Sequence, residues 1–552
     1  MMRKYQSFVA ACLLLLSVPA AVAAAANVPS PHRVFRVNLD KTAGQPVSGR
    51  LLLFATPLDK ARAASDDGKV HKVDTSAFRP TDTAVAALEV THLAPGGSVL
   101  VDADQLAFPE PFSALADGRY AMQAVLDVNH DYNYGGRGDG DIVGPVTEVD
   151  FQADTGITTL ALNRVVDEKH TPWTVPERFP KAMRDKLVPA MKAARAHADA
   201  LDFTSPVLSA FRGTPVHIRG WVLTPPGYDA DAKKRYPVVY FTHGFGGNLD
   251  YLTFQAATMY GQMHSGDMPP MIWVFLDESG PTGTHEFADS ANNGPWGRAL
   301  TTELIPYLES RYRMDGTPDG RFLTGHSSGG WATLWLQTRY PKVFGGTWST
   351  APDSSDFRDF TGADLYAADA NVYHRADGSA IPLVRADGKV IATFKQFAQL
   401  ERVLGPYGGQ MASFEWVFSP RGADGRPVPM FDRDTGKVDP DVAAYWREHY
   451  DIAHRVKTHW PELKADLDGK IHLIVGTADT FYLDGAAHKL KQVLDEVGAD
   501  AEVEFLPGKT HGNLFEKDGN RQWLMQQITW AMYHHARPDA PVPANKRHEI
   551  DR

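Results

Sequence analysis

Ser327 stands between glycines in Gly325-His326-Ser327-Ser328-Gly329. The Gly-x-Ser-x-Gly spacing suits a serine nucleophile lifted on a sharp strand-to-helix turn. An ordinary Ser/Gly turn has the same five letters, so the flanks decide. Gly320-Arg-Phe-Leu-Thr324 reads as a short strand, and Gly330 to Arg339 reads as an apolar helix stopped by Pro341. Small residues beside the serine let strand and helix pass close together, and the turn raises the hydroxyl above the sheet.

A serine hydroxyl attacks poorly at neutral pH unless a histidine takes its proton and an acid orients that histidine. Lys470-Ile-His-Leu-Ile-Val475 has a buried-strand pattern and leads into Gly476-Thr-Ala-Asp479. Ala501 to Leu506 alternates as a strand and leads into Pro507-Gly-Lys-Thr-His511, with a helix from Ala486 to Val497 between them. An acid and then a histidine, each just past a late strand, make Asp479 the expected acid and His511 the expected base. Asp353, after the strand from Phe344 to Thr350, is the alternative acid; Asp484 reads as a helix cap. His326 is expected to pack in the turn. Two backbone N–H groups should face the developing oxyanion: that of Ser328, and that of Phe245 in His243-Gly-Phe-Gly-Gly247, the loop after the strand from Tyr236 to Thr242.

With these pieces the chain resembles the esterase family of α/β-hydrolases that groups feruloyl and acetylxylan esterases, enterochelin-type siderophore esterases, S-formylglutathione hydrolases and mycolyltransferases. Val222-Leu-Thr-Pro-Pro-Gly-Tyr228, Gly294-Pro-Trp-Gly and the amphipathic run Thr302 to Arg313 add to the likeness, which covers roughly 205–537. The resemblance implies an α/β fold: a mostly parallel, doubly wound sheet interrupted by a long insertion. It implies carboxylic ester hydrolysis through a Ser327-His511-Asp479 triad and an acyl-enzyme, with no cofactor. An acyltransferase with the same triad and a serine peptidase are the alternatives.

The rest of the chain divides around this unit. Residues 1–26 combine a basic start, an apolar core and Ala-x-Ala sites, as a secretory signal peptide does. That implies a secreted or periplasmic protein with no membrane span after cleavage. The only cysteine, Cys12, lies inside this segment. Residues 31–166 read as short alternating strands, a small all-β sandwich whose expected role is docking or orientation. Residues 167–204 read as a helical linker, 354–468 as an insertion capping the serine, and 538–552 as a loose tail. One loop in the β unit, Asp127-Val-Asn129-His-Asp131-Tyr-Asn133, alternates oxygen ligands as calcium loops do, although Tyr132 stands where such loops need glycine. Calcium and a plain polar loop are both open readings. The net charge of −11, with no basic cluster, argues against nucleic acid; the resemblance implies an ester, free or polymer-linked, as the partner. Oligomeric state is not legible.

Overall fold

The computed structural model describes residues 32–76, 78–152, 156–167, 171–177 and 179–541. The segment 1–26, read above as a signal peptide, and most of the tail lie outside the described residues.

An eight-stranded sheet runs in the order Ala198–Thr204, His217–Leu223, Ile272–Leu276, Val238–Thr242, Arg321–His326, Gly346–Thr350, Ile471–Gly476, Ala501–Leu506. The first two strands are antiparallel to their neighbours, and the other six run parallel. Central strands read as unbroken apolar runs, VVYFT and IWVFL, because helices cover both faces and every residue is buried. At the edge, Ala501–Leu506 keeps the alternation of a half-exposed strand. The helix Leu249–Ser265 covers one part of the sheet, and Ser328–Arg339 follows the strand carrying the Gly-x-Ser-x-Gly turn.

The N-terminal unit holds a three-stranded and a seven-stranded sheet. Phe35, Val37 and Leu39 of the smaller sheet share a core with Leu51, Leu53 and Ala55 of the larger. The intervening residues Leu52 and Phe54 face the other way, onto Leu400, Val403 and Leu404 of the helix Phe394–Leu404. That helix belongs to the insertion. The larger sheet is therefore buried on both faces, which explains why Leu51 to Ala55, within the strand Val47–Pro57, is a continuous apolar run rather than an alternating one.

Two boundaries differ from expectation. The linker reading, 167–204, runs too long: Lys181–Arg195 is a helix, but Ala198–Thr204 pairs along its full length with His217–Leu223. Its backbone groups complete the eight-stranded sheet's edge, so that sheet begins before residue 205. The insertion reading runs too long. Ile452–Leu467 packs on the helices Ser328–Arg339 and Leu483–Val497 with Val456, Trp460 and Leu463 buried, and is a layer helix of the main unit. Among the described residues no helix is long and apolar enough to cross a membrane.

Candidate active site

Ser327 sits at φ 61°, ψ −126°, a strained conformation for a residue with a side chain. Such strain costs about 1–3 kcal/mol and persists only where the surroundings impose it. Here Ser327 N–H donates to Thr350 O at 3.1 Å. A Cβ at Gly325 would lie 2.2 Å from Gly329 O, and one at Gly329 would lie 2.5 Å from the carbonyls of Thr242 and His243. The flanking glycines are therefore required by close backbone approach on both sides of the serine.

His511 Nδ1 lies 2.8 Å from Asp479 Oδ2, and Asp479 is wholly buried. The other carboxylate oxygen accepts Phe481 N–H at 2.9 Å, so the loop's own backbone fixes the acid. With Nδ1 engaged, Nε2 is the imidazole's basic nitrogen. The His511 ring lies 4.3 Å from that of His326, the residue preceding the serine, and 5.0 Å from that of Phe481. Burial and the neighbouring His511 hold His326 well below the usual imidazole range, which keeps it neutral. Its place is in the turn, against Thr350 Oγ1 at 3.2 Å.

The competing acids do other work. Asp353 N–H donates to Ser327 O at 3.2 Å, and its Oδ2 accepts the Ser328 hydroxyl at 2.6 Å. Burial pushes the Asp353 carboxyl up to about 6. Asp484 lies in the first turn of Leu483–Val497, after the N-cap position, and accepts Arg385 at 2.8 Å. Arg385 also donates to Asp479 O at 2.7 Å, stapling the acid loop to the insertion.

The loop His243–Gly247 lies beside the serine: a Cβ on Gly244 would stand 3.8 Å from Ser327 Oγ and 2.9 Å from His326 O. Phe245 is in this loop, and Ser328 opens its helix, where the first N–H groups have no intrahelical acceptor. His243 supports the loop from below, its Nδ1 2.8 Å from Gly244 O and its Nε2 3.0 Å from Asp277 Oδ1. Nearby, Glu278 and Glu286 are wholly buried; burial, then repulsion from Asp353, favours their protonated forms. A cavity of about 20 Å³, room for roughly one water, lies between Asp353, Gln410, Phe360, Phe397, Phe414 and Phe481. A larger groove of about 750 Å³ sits under Trp348, His472 and Trp523, and none of Ser327, Asp479 or His511 lines it. Of the insertion's aromatics, Phe414, Phe418 and Trp446 are buried in a core shared with the main unit, the Phe418 ring lying 4.7 Å from that of Trp331, while Tyr407, Trp416 and Tyr445 are half-buried.

At the Asp127 loop both readings of the sequence stand: Asp131 Oδ1 is buried with no hydrogen-bond partner, and the neighbouring polar groups bond within the protein. Asp127 accepts the N–H groups of Asp131 and Tyr132, Asn129 donates to Asp139 O, and Asn133 donates to Glu401 O and Gly405 O. Among the described residues, the one trio of imidazole and carboxylate ligand atoms gathered at ion-binding spacing is His32, Asp102 and Asp104, outside this loop. The loop's polar groups fold it and join it to the insertion. Tyr134, just beyond, reaches Gly247 O with its hydroxyl. Neither Tyr134 nor Arg385 carries a local signal, because each acts on backbone about a hundred residues away.

Esterase Rv1288 of Mycobacterium tuberculosis is 30% identical over 148 residues, 26% of this chain. The chain spans 31% of the length of that relative. Similar solved structures include a ferulic acid esterase, 16% identical, covering 61% of this chain and 98% of that one at a TM-score of 0.38. An S-formylglutathione hydrolase from Agrobacterium tumefaciens is 14% identical, covering 61% and 94% at 0.37. The family model described as "Putative esterase" matches residues 213–505, taking in Ser327 and Asp479 and stopping just short of His511. That match covers more than half of the 552 residues, and the chain belongs to this esterase family.

Proposed function

We propose that the protein is a serine esterase that hydrolyses carboxylic esters through Ser327, His511 and Asp479. The observation that carries the reading is the His511–Asp479 pair, 2.8 Å apart, set beside a serine at φ 61°. Ser327 Oγ attacks the ester carbonyl while His511 Nε2 takes its proton. Asp479 keeps the other ring proton on Nδ1 and stabilises the imidazolium. The N–H groups of Phe245 and Ser328 receive the oxyanion, and loss of one such donor costs about 3 kcal/mol of barrier. His511 then protonates the departing alcohol, and water, deprotonated by the same nitrogen, releases the acid and restores the serine.

The reading extends to the rest of the chain. Residues 1–26 act as an export signal, 31–166 form a β-sandwich, and the catalytic unit closes near 537. Hydrolysis of p-nitrophenyl esters of graded acyl length by the protein and by Ser327→Ala tests it. A serine-dependent rate is expected, its chain-length profile sizing the acyl pocket. Undiminished hydrolysis by Ser327→Ala overturns the assignment.

A further inference from the structure

The loop carrying the second proposed oxyanion donor is rich in glycine, with Gly246 at φ 80°. Glycine backbone loses the most freedom when it is fixed, so such a loop needs outside anchors. Internally it is closed by Gly247 N–H donating to Gly244 O at 3.0 Å. Externally it meets Tyr134: the hydroxyl donates to Gly247 O at 2.5 Å, and the ring meets Phe245 edge-on with centroids 5.0 Å apart. Tyr134 comes from the N-terminal unit, outside the esterase match.

We infer that Tyr134 is a positioning residue for hydrolysis at Ser327, setting the Phe245 N–H that receives the oxyanion. The inference rests on the esterase reading above.

Tyr134 is itself held in place, which an anchor requires. Its N–H donates to Asp131 O at 3.0 Å, within a turn whose N–H groups Asp127 gathers. Next to it, Asn133 donates to Glu401 O at 2.9 Å and Gly405 O at 2.7 Å, tying the turn to the insertion. A Cβ at Gly408 would stand 3.2 Å from Tyr134 Cβ, so the insertion also closes on the tyrosine from behind. Burial, then the nearby Glu278 and Asp277, push the phenol well above its ordinary range, so it stays a donor at every working pH. The acidic loop folds around the tyrosine and delivers it to the main unit.

The test compares Tyr134→Phe, Asn133→Ala and wild type by p-nitrophenyl ester kinetics, inhibition by phenylboronic acid, thermal midpoint and hydrogen exchange at 243–248. Tyr134→Phe keeps the ring and loses one hydrogen bond. It is expected to lower kcat about fivefold with KM within about twofold, and to weaken the boronate by the same factor. Exchange at 243–248 should quicken. Asn133→Ala, which cuts the turn's tie to the insertion, is expected to lower the midpoint and to quicken exchange at 243–248 as Tyr134→Phe does. Wild-type kcat, boronate affinity and exchange in Tyr134→Phe overturn the inference, as does a lowered midpoint with those three unchanged. Should Ser327→Ala retain hydrolysis, the esterase reading fails instead, and the exchange rates still decide whether Tyr134 holds the loop.

Discussion

Two buried aspartates flank the candidate nucleophile, one on the loop after Ile471–Gly476 and one on the segment after Gly346–Thr350. Asp479 spends one oxygen on Phe481 N–H and offers the other to His511. Asp353 spends an oxygen on the Ser328 hydroxyl and gives its N–H to Ser327 O. Both sit past parallel strands at the same end of the sheet, and both are nearly or wholly buried. Hydrogen-bond partner, more than position or burial, therefore separates an acid that orients the base from one that braces the turn.

The largest break in that symmetry should come from Asp479→Asn set against Asp353→Asn. An amide at 479 leaves the imidazole without a carboxylate to fix its tautomer and stabilise its charge, and kcat is expected to fall about 10⁴-fold. The same change at 353 keeps an oxygen for the Ser328 hydroxyl and should cost kcat less than about tenfold. Steady-state kinetics on one ester reads both. Equal losses would make the two acids interchangeable.

A glycine sharpens the comparison without touching either acid. At Gly476 a Cβ would meet Lys509 O at 2.1 Å, the point where the Asp479 strand passes the loop that carries His511. Gly476→Ala should push the two loops apart. A misplacement on the order of 1 Å costs about 10²-fold in rate. The expected signature is a fall in kcat of that size, and labelling by a fluorophosphonate should slow in parallel. An unchanged rate would mean that the loops yield without moving the pair.

The smallest effect is on stability. Asp353 is held up to about 6, against 3.8 for the free side chain. The folded chain therefore binds this proton more tightly than the unfolded chain. Its contribution is greatest below pH 4 and is lost as pH rises through about 6. Asp353→Asn removes the titration, while Glu278 and Glu286 remain in both proteins. The midpoint of Asp353→Asn relative to wild type should rise between pH 4 and 7, by on the order of 2 kcal/mol in stability. A pH-independent difference would show that burial of Asp353 carries no ionisation penalty.

The parts of the site that could be read from the chain are those built by local rules. A serine between glycines, a strand before it and a helix after it describe the elbow between Gly320 and Arg339. Asp479 and His511 each follow a strand whose apolar pattern is visible in eight or so letters. Arg385 and Tyr134 were not readable. Arg385 lies in a short hairpin of the insertion, and Tyr134 lies in a turn whose alternating acids resemble a metal loop. Each meets its target only after distant strands have been brought together. The two-faced burial of Val47–Pro57 escaped for the same reason, since the covering helix, Phe394–Leu404, belongs to another unit.

What the sequence determined by itself was a set of candidates, a serine between glycines, a histidine and two aspartates, and the strands that end beneath them, because periodicity and turn residues act over a few positions. Only the tertiary structure decided which of two aspartates faces the imidazole, and that the N-terminal unit reaches into the site instead of standing apart. Those choices turn on hydrogen bonds of about 3 Å between segments far apart in the chain, and no local pattern encodes a contact of that kind.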